Sequence, residues 1–274
     1  MIASSGAHPK PSRVAGRDFV SWSQLSTFRQ CPLRYKFRYL DKVEPEFVAS
    51  SLLLGSSIHG AIEFHHRKLL EFDQPATPDE MLDAFWEEWK ARSDSSPKVR
   101  FGSKEDINTV GRLAESMLTT FLADECSVSN GSVVCIEESL SGKLIAERPN
   151  FLGIVDLAYL ADDRLVVRDY KTSRSRWNQA MAVGSSGQLG LYCELAKALA
   201  PECRIEAEFV VITKTKSPTI ETFAASVNQS QLDRTLLVAE RTMDAIDAGN
   251  FYPHRSQINC HSCPYRSACA AWDG

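Results

Sequence analysis

The pattern of hydrophobic and polar positions changes character near residue 131. Before that point, apolar residues recur every three or four positions, which is typical of amphipathic helices. Three long stretches of this kind lie at residues 51–72, 77–94 and roughly 103–124. Farther upstream, Pro32 favours the start of a helix, and we expect the preceding helix to end near Arg29. This part of the chain is therefore predicted to be mainly helical.

From residue 131 onward, β-branched and aromatic residues alternate with polar ones, which indicates β-strands. Strands are predicted within residues 131–147, 205–215 and 218–226, with a hairpin over 151–174. Helical spacing returns at residues 185–200 and 228–250. Strands and helices in this order bury their apolar faces best as a sheet covered by helices. The predicted fold class is therefore α/β, with a mixed central β-sheet flanked by helices.

We expect residues 1–19 to form a disordered lead-in and residues 20–274 to form a single domain. Within that domain we expect a mainly helical part at 20–125, an α/β core at 131–249 and a cysteine-containing tail at 250–274. The lead-in has no hydrophobic signal core. No apolar run approaches the roughly 20 residues that a membrane span requires. We therefore expect a cytoplasmic protein that does not associate with a membrane.

Composition and charge narrow the range of functions. The chain is 43% apolar and 24% charged, with a formal net charge of −4 and a pI of about 5.9. This charge argues against a surface coated in positive side chains for unspecific binding of nucleic acid. It leaves room for a local basic groove, because carboxylates gathered at a site would themselves lower the total.

Charged residues interrupt the apolar pattern of the predicted hairpin. Asp169 and Lys171 are two positions apart, so in a strand they face the same side. Strand pairing could bring Asp156 near Asp169, and two such carboxylates suit Mg²⁺ or Mn²⁺. The lysine could then orient water or stabilise charge on a phosphate. Alternatively, Asp169 and Lys171 form a solvated strand face with a weak salt bridge. The D-x-K pattern alone leaves both interpretations open.

Other motifs accompany the hairpin. "GSSIHGAIE" contains a G-x-x-x-H pattern, "GIVDLAYL" and "RDYKTSR" supply the hairpin residues, and "GQLGLYCELAKAL" contains a Q-x-x-x-Y pattern. In this order, the set resembles the RecB-type branch of the PD-(D/E)XK nuclease superfamily. The resemblance spans roughly residues 21–272. It implies a restriction-endonuclease-like core within the α/β fold.

The resemblance also assigns roles to individual residues. It implies that His59, Asp156 and Asp169 bind the metal ion and that Lys171 is the catalytic lysine. Gln188 and Tyr192, four positions apart on one helix face, would line the catalytic site. Asp169 stands where the family often has glutamate, which gives the carboxylate a shorter reach.

Other residues near these motifs are less clearly assigned. Either Glu137 or Glu138 could supply a further carboxylate, and the sequence does not distinguish between them. We expect His65 and His66 to be surface residues. Beyond the hairpin, Arg174 and Arg176 are candidates for contact with nucleic acid at the mouth of the site.

Three of the eight cysteines are crowded into the tail, as Cys260-x2-Cys263-x5-Cys269. Without an export signal we do not expect a disulfide framework. A tetrahedral zinc site or an iron–sulfur cubane needs four ligands, and Cys31 is the best fourth candidate. The spacing suits either metal. RecB-type nucleases with one cysteine before the core and three after it hold a structural [4Fe–4S] cluster, so the resemblance implies that cluster, with zinc as the alternative.

The function implied by the resemblance is metal-dependent hydrolysis of DNA, with exonuclease action on single strands or ends. The chain carries no G-x-x-x-x-G-K-[ST] nucleotide-binding loop, so any unwinding would come from a partner. The resemblance allows a helicase or a CRISPR-adaptation protein in that role. Two other functions stay open: a catalytically silent DNA-binding or assembly module, and an interaction protein held together by zinc.

Overall fold

In the computed structural model, helices dominate the chain up to Leu122 and strands follow from Ser132. The structure describes residues 18–95, 98–225 and 228–274. The helices of this part are α1 (Trp22–Gln30), α2 (Pro32–Tyr35), α3 (Ser50–Phe72), α4 (Pro78–Asp94), α5 (Ile107–Leu122), α6 (Gln179–Ala196), α7 (Gln229–Asp247), α8 (Gln257–His261) and α9 (Arg266–Ala270). The strands are β1 (Phe19–Ser21), β2 (Val48–Ala49), β3 (Val99–Arg100), β4 (Ser132–Gly142), β5 (Asn150–Ala161), β6 (Arg164–Ser173), β7 (Arg204–Thr213) and β8 (Ile220–Ala224).

Short polar side chains determine where several helices begin. Ser21 accepts a hydrogen bond from the Gln24 N–H at the start of α1. At the start of α4, Thr77 and Glu80 form a capping box, in which each side chain accepts from the other residue's N–H. Asp106 caps α5 by accepting from Thr109 N–H. These bonds satisfy N–H groups that have no partner within the first turn of a helix.

By their internal contacts, the residues form two compact units. Among the described residues, the first unit contains those up to Val43, with Ser141–Leu152 and Asp233–Gly274. The second unit contains Glu44–Leu140 and Gly153–Leu232.

The second unit is built on a mixed sheet. The strand order is β5-β6-β7-β8, and β4 also pairs with β5. β5 and β6 are antiparallel, β6 and β7 are parallel, and β7 and β8 are antiparallel. The parallel pair requires a crossover connection, which α6 provides. The predicted α/β class with a mixed central sheet is confirmed.

Alternating side chains of the strands divide the core of this unit into two apolar clusters. Val166 and Val210 pack with residues of α3, α4 and α5. Their strand neighbours Val167 and Phe209 pack with residues of α6. Because successive strand residues face opposite sides, helices cover both faces of the sheet. The predicted flanking helices are therefore present.

The first unit joins the two ends of the described chain. β1 pairs in parallel with the first three residues of β5, Asn150–Leu152. The Leu33 N–H donates to the Tyr252 carbonyl at 3.0 Å, which ties α2 to the segment after α7. The rings of Phe28 and Tyr35 both pack on Phe251. Segments near both ends of the described chain therefore share one apolar interior.

Most predicted elements are present, with shifted boundaries. α1 ends at Gln30 and α2 begins at Pro32, close to the predicted break. The strand predicted over 131–147 ends at Gly142, and α6 begins at Gln179, six residues before the predicted 185. The short strands β1, β2 and β3 were not predicted, because two or three residues carry too little periodicity. Residues 1–17 of the predicted lead-in lie outside the described residues, and the domain boundaries stay a prediction.

The prediction that His65 and His66 lie at the surface is wrong. They are only 1% and 2% exposed, respectively. His65 accepts from Ala76 N–H through Nδ1 and donates from Nε2 to the Ser127 carbonyl at 2.9 Å. His66 Nε2 lies 2.7 Å from the Tyr170 hydroxyl. Burial lowers the pKa of both rings, that of His66 to about 3, so both are neutral near pH 7.

A buried polar network lies beside these histidines. The Arg168 guanidinium is almost fully buried and donates to Glu208 Oε1 and to the Cys126 carbonyl, both at 2.7 Å. It also donates to the Tyr159 hydroxyl at 3.2 Å. Since Arg168 and Tyr170 lie on one side of β6, Asp169 and Lys171 lie on the other. One strand therefore has two polar sides.

No helix among the described residues has the length and apolar composition that a bilayer crossing needs.

Candidate active site

Side chains from three elements of the second unit form a tight polar group. His59 comes from α3, Glu137 from β4 and Asp156 from β5, and their ligand atoms all lie within 4.8 Å of one another. His59 Nδ1 is 3.4 Å from Asp156 Oδ2 and 4.0 Å from Glu137 Oε1. Within the described ranges, no other three acidic, histidine or cysteine side chains are this close. One nitrogen and two carboxylates at this spacing can surround one small cation.

The hairpin positions two carboxylates of the site. The antiparallel register ends with Leu157 opposite Arg168, so Asp156 and Asp169 are the next residues along the two strands. The Tyr170 N–H donates to Asp156 Oδ2 at 2.8 Å, which holds this carboxylate against β6. Asp169 is 3% exposed. The charges that interrupt the apolar pattern therefore meet at one end of the hairpin.

The electrostatics of the group favour a cation. Burial raises the pKa of Asp156 well above its usual range, and the charge of Asp169 raises it further. Burial and the charge of Asp156 raise the pKa of Glu137 to about 7. Burial lowers the pKa of His59 to about 4, so near pH 7 its neutral ring keeps a lone pair for a metal. A divalent cation would relieve the repulsion between the carboxylates.

A chain of contacts connects Asp169 to α6. Lys171 Nζ lies 2.7 Å from Asp169 Oδ2 and donates to Gln188 Oε1 at 3.3 Å. Gln188 Nε2 in turn donates to the Tyr192 hydroxyl at 2.9 Å. Although burial disfavours its charge, the carboxylates of Asp169 and Asp156 raise the pKa of Lys171 overall, so the amine is cationic.

The carboxylate of Asp169 keeps capacity for a further ligand. Despite the short distance to Lys171 Nζ, Asp169 Oδ2 accepts no well-aligned hydrogen bond from any described residue. The ion pair with Lys171 leaves lone pairs of this buried carboxylate open to a further ligand. With the His59, Glu137 and Asp156 group beside it, Asp169 thus fits a site for a divalent metal ion.

The structure distinguishes the two glutamates that the sequence left open. Glu137 points into the group, whereas Glu138 is exposed. Cys135 and Ile136 are both buried, which breaks the strand alternation, and Glu137 has a φ of 47°. A left-handed backbone is uncommon for glutamate and locally redirects the strand. The sequence shows two adjacent glutamates and gives no sign of this irregularity.

The glycine of the G-x-x-D motif makes room for the tyrosine of the Q-x-x-x-Y motif. A Cβ atom on Gly153 would lie 2.6 Å from two ring carbons of Tyr192. Carbon atoms cannot approach this closely, so any larger residue would displace the ring. Gly153 therefore helps to position the Gln188–Tyr192 pair.

Gly153→Ala should consequently displace Tyr192 and weaken its bond to Gln188. We expect a loss of about 1–3 kcal/mol in the free energy of unfolding, as for other overpacked sites. Gly184→Ala is the matched control: it lies in α6, and nothing is within 4 Å of its Cβ position. That change should be neutral or stabilising by up to about 1 kcal/mol. Urea denaturation measures both, and equal stabilities would contradict this account.

A cavity of about 490 Å³ opens onto the site. Its lining also includes Leu52 and Gly55, from the first turns of α3, and Lys214, which follows β7. Leu52 is 69% exposed. The sequence did not single out Lys214, because its proximity to the site depends on the parallel pairing of β6 and β7. The predicted residues His59, Asp156, Asp169, Lys171, Gln188 and Tyr192 all line this cavity.

Three of the four candidate cysteines of the tail site meet in the first unit. Cys31, Cys263 and Cys269 pack on a small cluster formed by Leu33, Phe37 and Tyr265. The His254 N–H donates to Cys31 Sγ at 3.4 Å. Cys260 is partly exposed at α8, and all four are free thiols.

All four of these cysteines are among the described residues, and no three of their sulfurs lie within 4.8 Å of one another.

Comparisons with known proteins bear on the fold and the family of the chain. The profile of the PD-(D/E)XK nuclease superfamily matches residues 20–270. A crystal structure from Eubacterium rectale, described as a "putative exonuclease", superposes with a TM-score of 0.56 at 14% identity, over 96% of this chain and 92% of that one. A crystal structure of SSO0001 matches with a TM-score of 0.35 at 14% identity, over 91% and 95% of the two chains. No curated protein matches the chain.

The profile match over nearly the whole described chain defines the class of the protein, that of the nucleases. The chain belongs to the PD-(D/E)XK nuclease superfamily, whose profile covers nearly all of its described residues.

Proposed function

We propose that the chain is a Mg²⁺- or Mn²⁺-dependent deoxyribonuclease that removes nucleotides from single-stranded DNA or DNA ends. The observation that carries the proposal is the tight group of His59, Glu137 and Asp156, with the Asp169–Lys171 ion pair beside it. An imidazole and carboxylates that can bind a divalent cation, with a lysine lining the same cavity, are groups that metal-assisted phosphodiester hydrolysis uses.

Each residue of the site has a chemical role in this proposal. His59, Asp156 and Asp169 would hold the cation, and Glu137 would be a further donor. When bound, the cation lowers the pKa of water and neutralises charge on the phosphate. Lys171, fixed by Asp169 and Gln188, would orient the attacking water and stabilise charge developing on the phosphate oxygens. Tyr192 would keep the Gln188 amide oriented so that its oxygen faces the lysine.

Exonuclease action is supported by likeness. The motif set resembles RecB-type nucleases, and the structure from Eubacterium rectale carries an exonuclease description. The geometry of the site fits hydrolysis of any accessible phosphodiester. The reaction products therefore show whether the enzyme trims ends or cuts within the strand.

The proposal is tested with end-labelled single-stranded and double-stranded DNA, incubated with Mg²⁺ or Mn²⁺ and protein purified without oxygen. We expect metal-dependent cleavage that EDTA stops, with a ladder of products if ends are trimmed. If the protein binds DNA but cleaves it under none of these conditions, a catalytically silent binding or assembly module is favoured instead.

We further propose that the cysteines Cys31, Cys260, Cys263 and Cys269 hold a structural [4Fe–4S] cluster, as in the RecB-type branch. The shared packing of three thiols and the N–H donor to Cys31 support this assignment. Zinc is the alternative, and the chain would then be held together by a tetrahedral site.

Anaerobically purified protein should therefore be brown and contain four irons and four sulfides per chain. Changing Cys263 to serine should remove the visible absorbance, because a cubane with three thiolates is held weakly. Cys203→Ser, a partly exposed thiol outside this group, should leave the spectrum unchanged. Stoichiometric zinc without iron would overturn the cluster assignment.

A helicase or CRISPR-adaptation partner and a cytoplasmic location stay predictions of the resemblance and of the sequence.

A further inference from the structure

Lys214 is a cation in the wall of the catalytic cavity that the proposed chemistry does not use. It follows β7. Its backbone N–H donates a hydrogen bond to the Ser173 carbonyl, at the end of β6, at 2.6 Å. β6 and β7 are parallel, with Lys171 opposite Val211. Lys214 therefore lies three residues beyond that pair, at the same end of the sheet as the catalytic lysine, and both line one cavity.

The charge of Lys214 is not matched by an acidic partner. Within the described part of the chain, no carboxylate oxygen lies within 4.0 Å of its amine. The amine donates a hydrogen bond to the Ser51 carbonyl at 3.5 Å. A hydrogen bond of that length is weak. By contrast, Lys171 is paired with Asp169, and Arg176 with Glu221 at 2.9 Å. Lys214 thus keeps its donors for another group.

The surroundings of Lys214 favour an anionic ligand. Burial lowers the pKa of its amine, and the nearby positive charge of Arg174 lowers it further, whereas the carboxylate of Glu105 offsets only part of this shift. Two neighbouring cations that repel each other are stabilised when an anion binds beside them. The carboxylates of the metal group line the same cavity and are proposed to hold the cation. A substrate phosphate is the anion that reaches this cavity during catalysis.

We propose that Lys214, with Arg174 beside it, binds a phosphate next to the scissile phosphate of the DNA strand. This inference rests on the proposed nuclease function and adds a second point of attachment for the substrate. A strand bound both at the metal group and at Lys214 has a fixed direction through the cavity. Lys214 would therefore determine which side of the cut must carry further nucleotides.

The first test measures binding without turnover. A fluorescein-labelled oligothymidine is titrated in Ca²⁺ at several salt concentrations, and its anisotropy is recorded. Lys214→Met keeps the aliphatic stem and removes the charge. It should weaken binding about tenfold and reduce the slope of log K against log salt by about 0.7, which is the loss of one phosphate contact on a single strand. Lys216→Met, exposed and two residues away, is the matched control and should change neither.

The second test places the contact along the strand. Substrates carry one neutral methylphosphonate at successive positions, and KM and kcat are measured with Mg²⁺. In the wild type, one position flanking the cut should raise KM about tenfold with little change in kcat. With the Lys214→Met enzyme, a methylphosphonate at that position should not raise KM further, because the amino-acid change and the neutral linkage remove the same contact. Lys214→Arg should restore the wild-type response.

The outcomes separate this inference from the proposed function. The inference is wrong if the wild type cleaves DNA and no flanking methylphosphonate raises KM. It is also wrong if Lys214→Met keeps the wild-type salt dependence of binding and the wild-type rise in KM. In either case Lys214 only ties β7 to α3. If the wild type cleaves nothing, yet Lys214→Met lowers the salt slope, the phosphate contact stands and the nuclease proposal fails. Because the wild-type scan needs no variant, a poorly folded Lys214→Met leaves the test intact.

Discussion

Replacing Lys171 with alanine should lower the rate of metal-dependent cleavage by about 10²–10³-fold, the effect of removing one group that stabilises transition-state charge. The amine is held between Asp169 Oδ2 and Gln188 Oε1, which orients its remaining donor. Its charge is already in place before the reaction, so little reorganisation is needed. Water that fills the space left by alanine would have to orient itself during each turnover.

Single-turnover cleavage of a labelled oligonucleotide measures this effect without a contribution from product release. Lys197→Ala is a suitable control, since that lysine is 55% exposed and pairs only with a neighbour on the same helix. Titration with Mn²⁺ separates the two roles at the site. Asp169→Asn should weaken metal binding, whereas Lys171→Ala should not. A Lys171→Ala enzyme that cleaves at nearly the wild-type rate would refute the assignment.

Replacing Arg168 with methionine should lower the free energy of unfolding by about 3–5 kcal/mol, as expected when one partner of a buried ion pair is removed. Arg168 donates to Glu208, to the Cys126 carbonyl and to the Tyr159 hydroxyl while almost fully buried. Methionine fills a similar volume but donates nothing. The Glu208 carboxylate would then lose its charged partner.

Urea denaturation of Arg168→Met beside Arg164→Met provides the comparison. Arg164 lies four residues earlier on the same strand and pairs with Glu206 at 3.0 Å, but both side chains are about a third or more exposed. Its replacement should cost less than about 1 kcal/mol. Adding Glu208→Gln to Arg168→Met should recover part of the loss, because the unpaired charge is then removed. Equal stabilities of the two single variants would contradict the buried network.

The sequence predicted those parts of the site that depend on local geometry. A strand repeats every two residues, so Asp169 and Lys171 were expected on one side, and both line the cavity. A helix repeats every 3.6 residues, so Gln188 and Tyr192 were expected together, and they form a hydrogen bond. The carboxylates Asp156 and Asp169 are neighbours because a two-residue turn sets their register. The catalytic roles of these residues stay proposals.

What the sequence missed depends on contacts between distant segments. The sequence named Glu137 and Glu138 as alternatives but could not choose between them, because Glu137 enters the site through a left-handed backbone conformation inside a strand. Lys214 reaches the cavity because β7 pairs in parallel with β6. His65 and His66 continue the buried stripe of Ala61 and Ile62 at a spacing of four, so that periodicity could have identified them. The surface prediction wrongly gave more weight to the polarity of these histidines than to their position on the helix.

The β5–β6 hairpin tolerates changes in chain length very unequally along its course. Asp162 and Asp163 form its turn, with side chains 91% and 69% exposed, roughly 20 Å along the strand from Asp156. Residues inserted there would lengthen a loop, which makes the turn a suitable place to attach a fluorophore or tether. One residue inserted into β6 just before Arg168 would shift the register and bring Arg168 and Tyr170 to the positions of Asp169 and Lys171. A one-residue insertion is therefore harmless in the turn, whereas the same insertion in β6, just before Arg168, destroys the site.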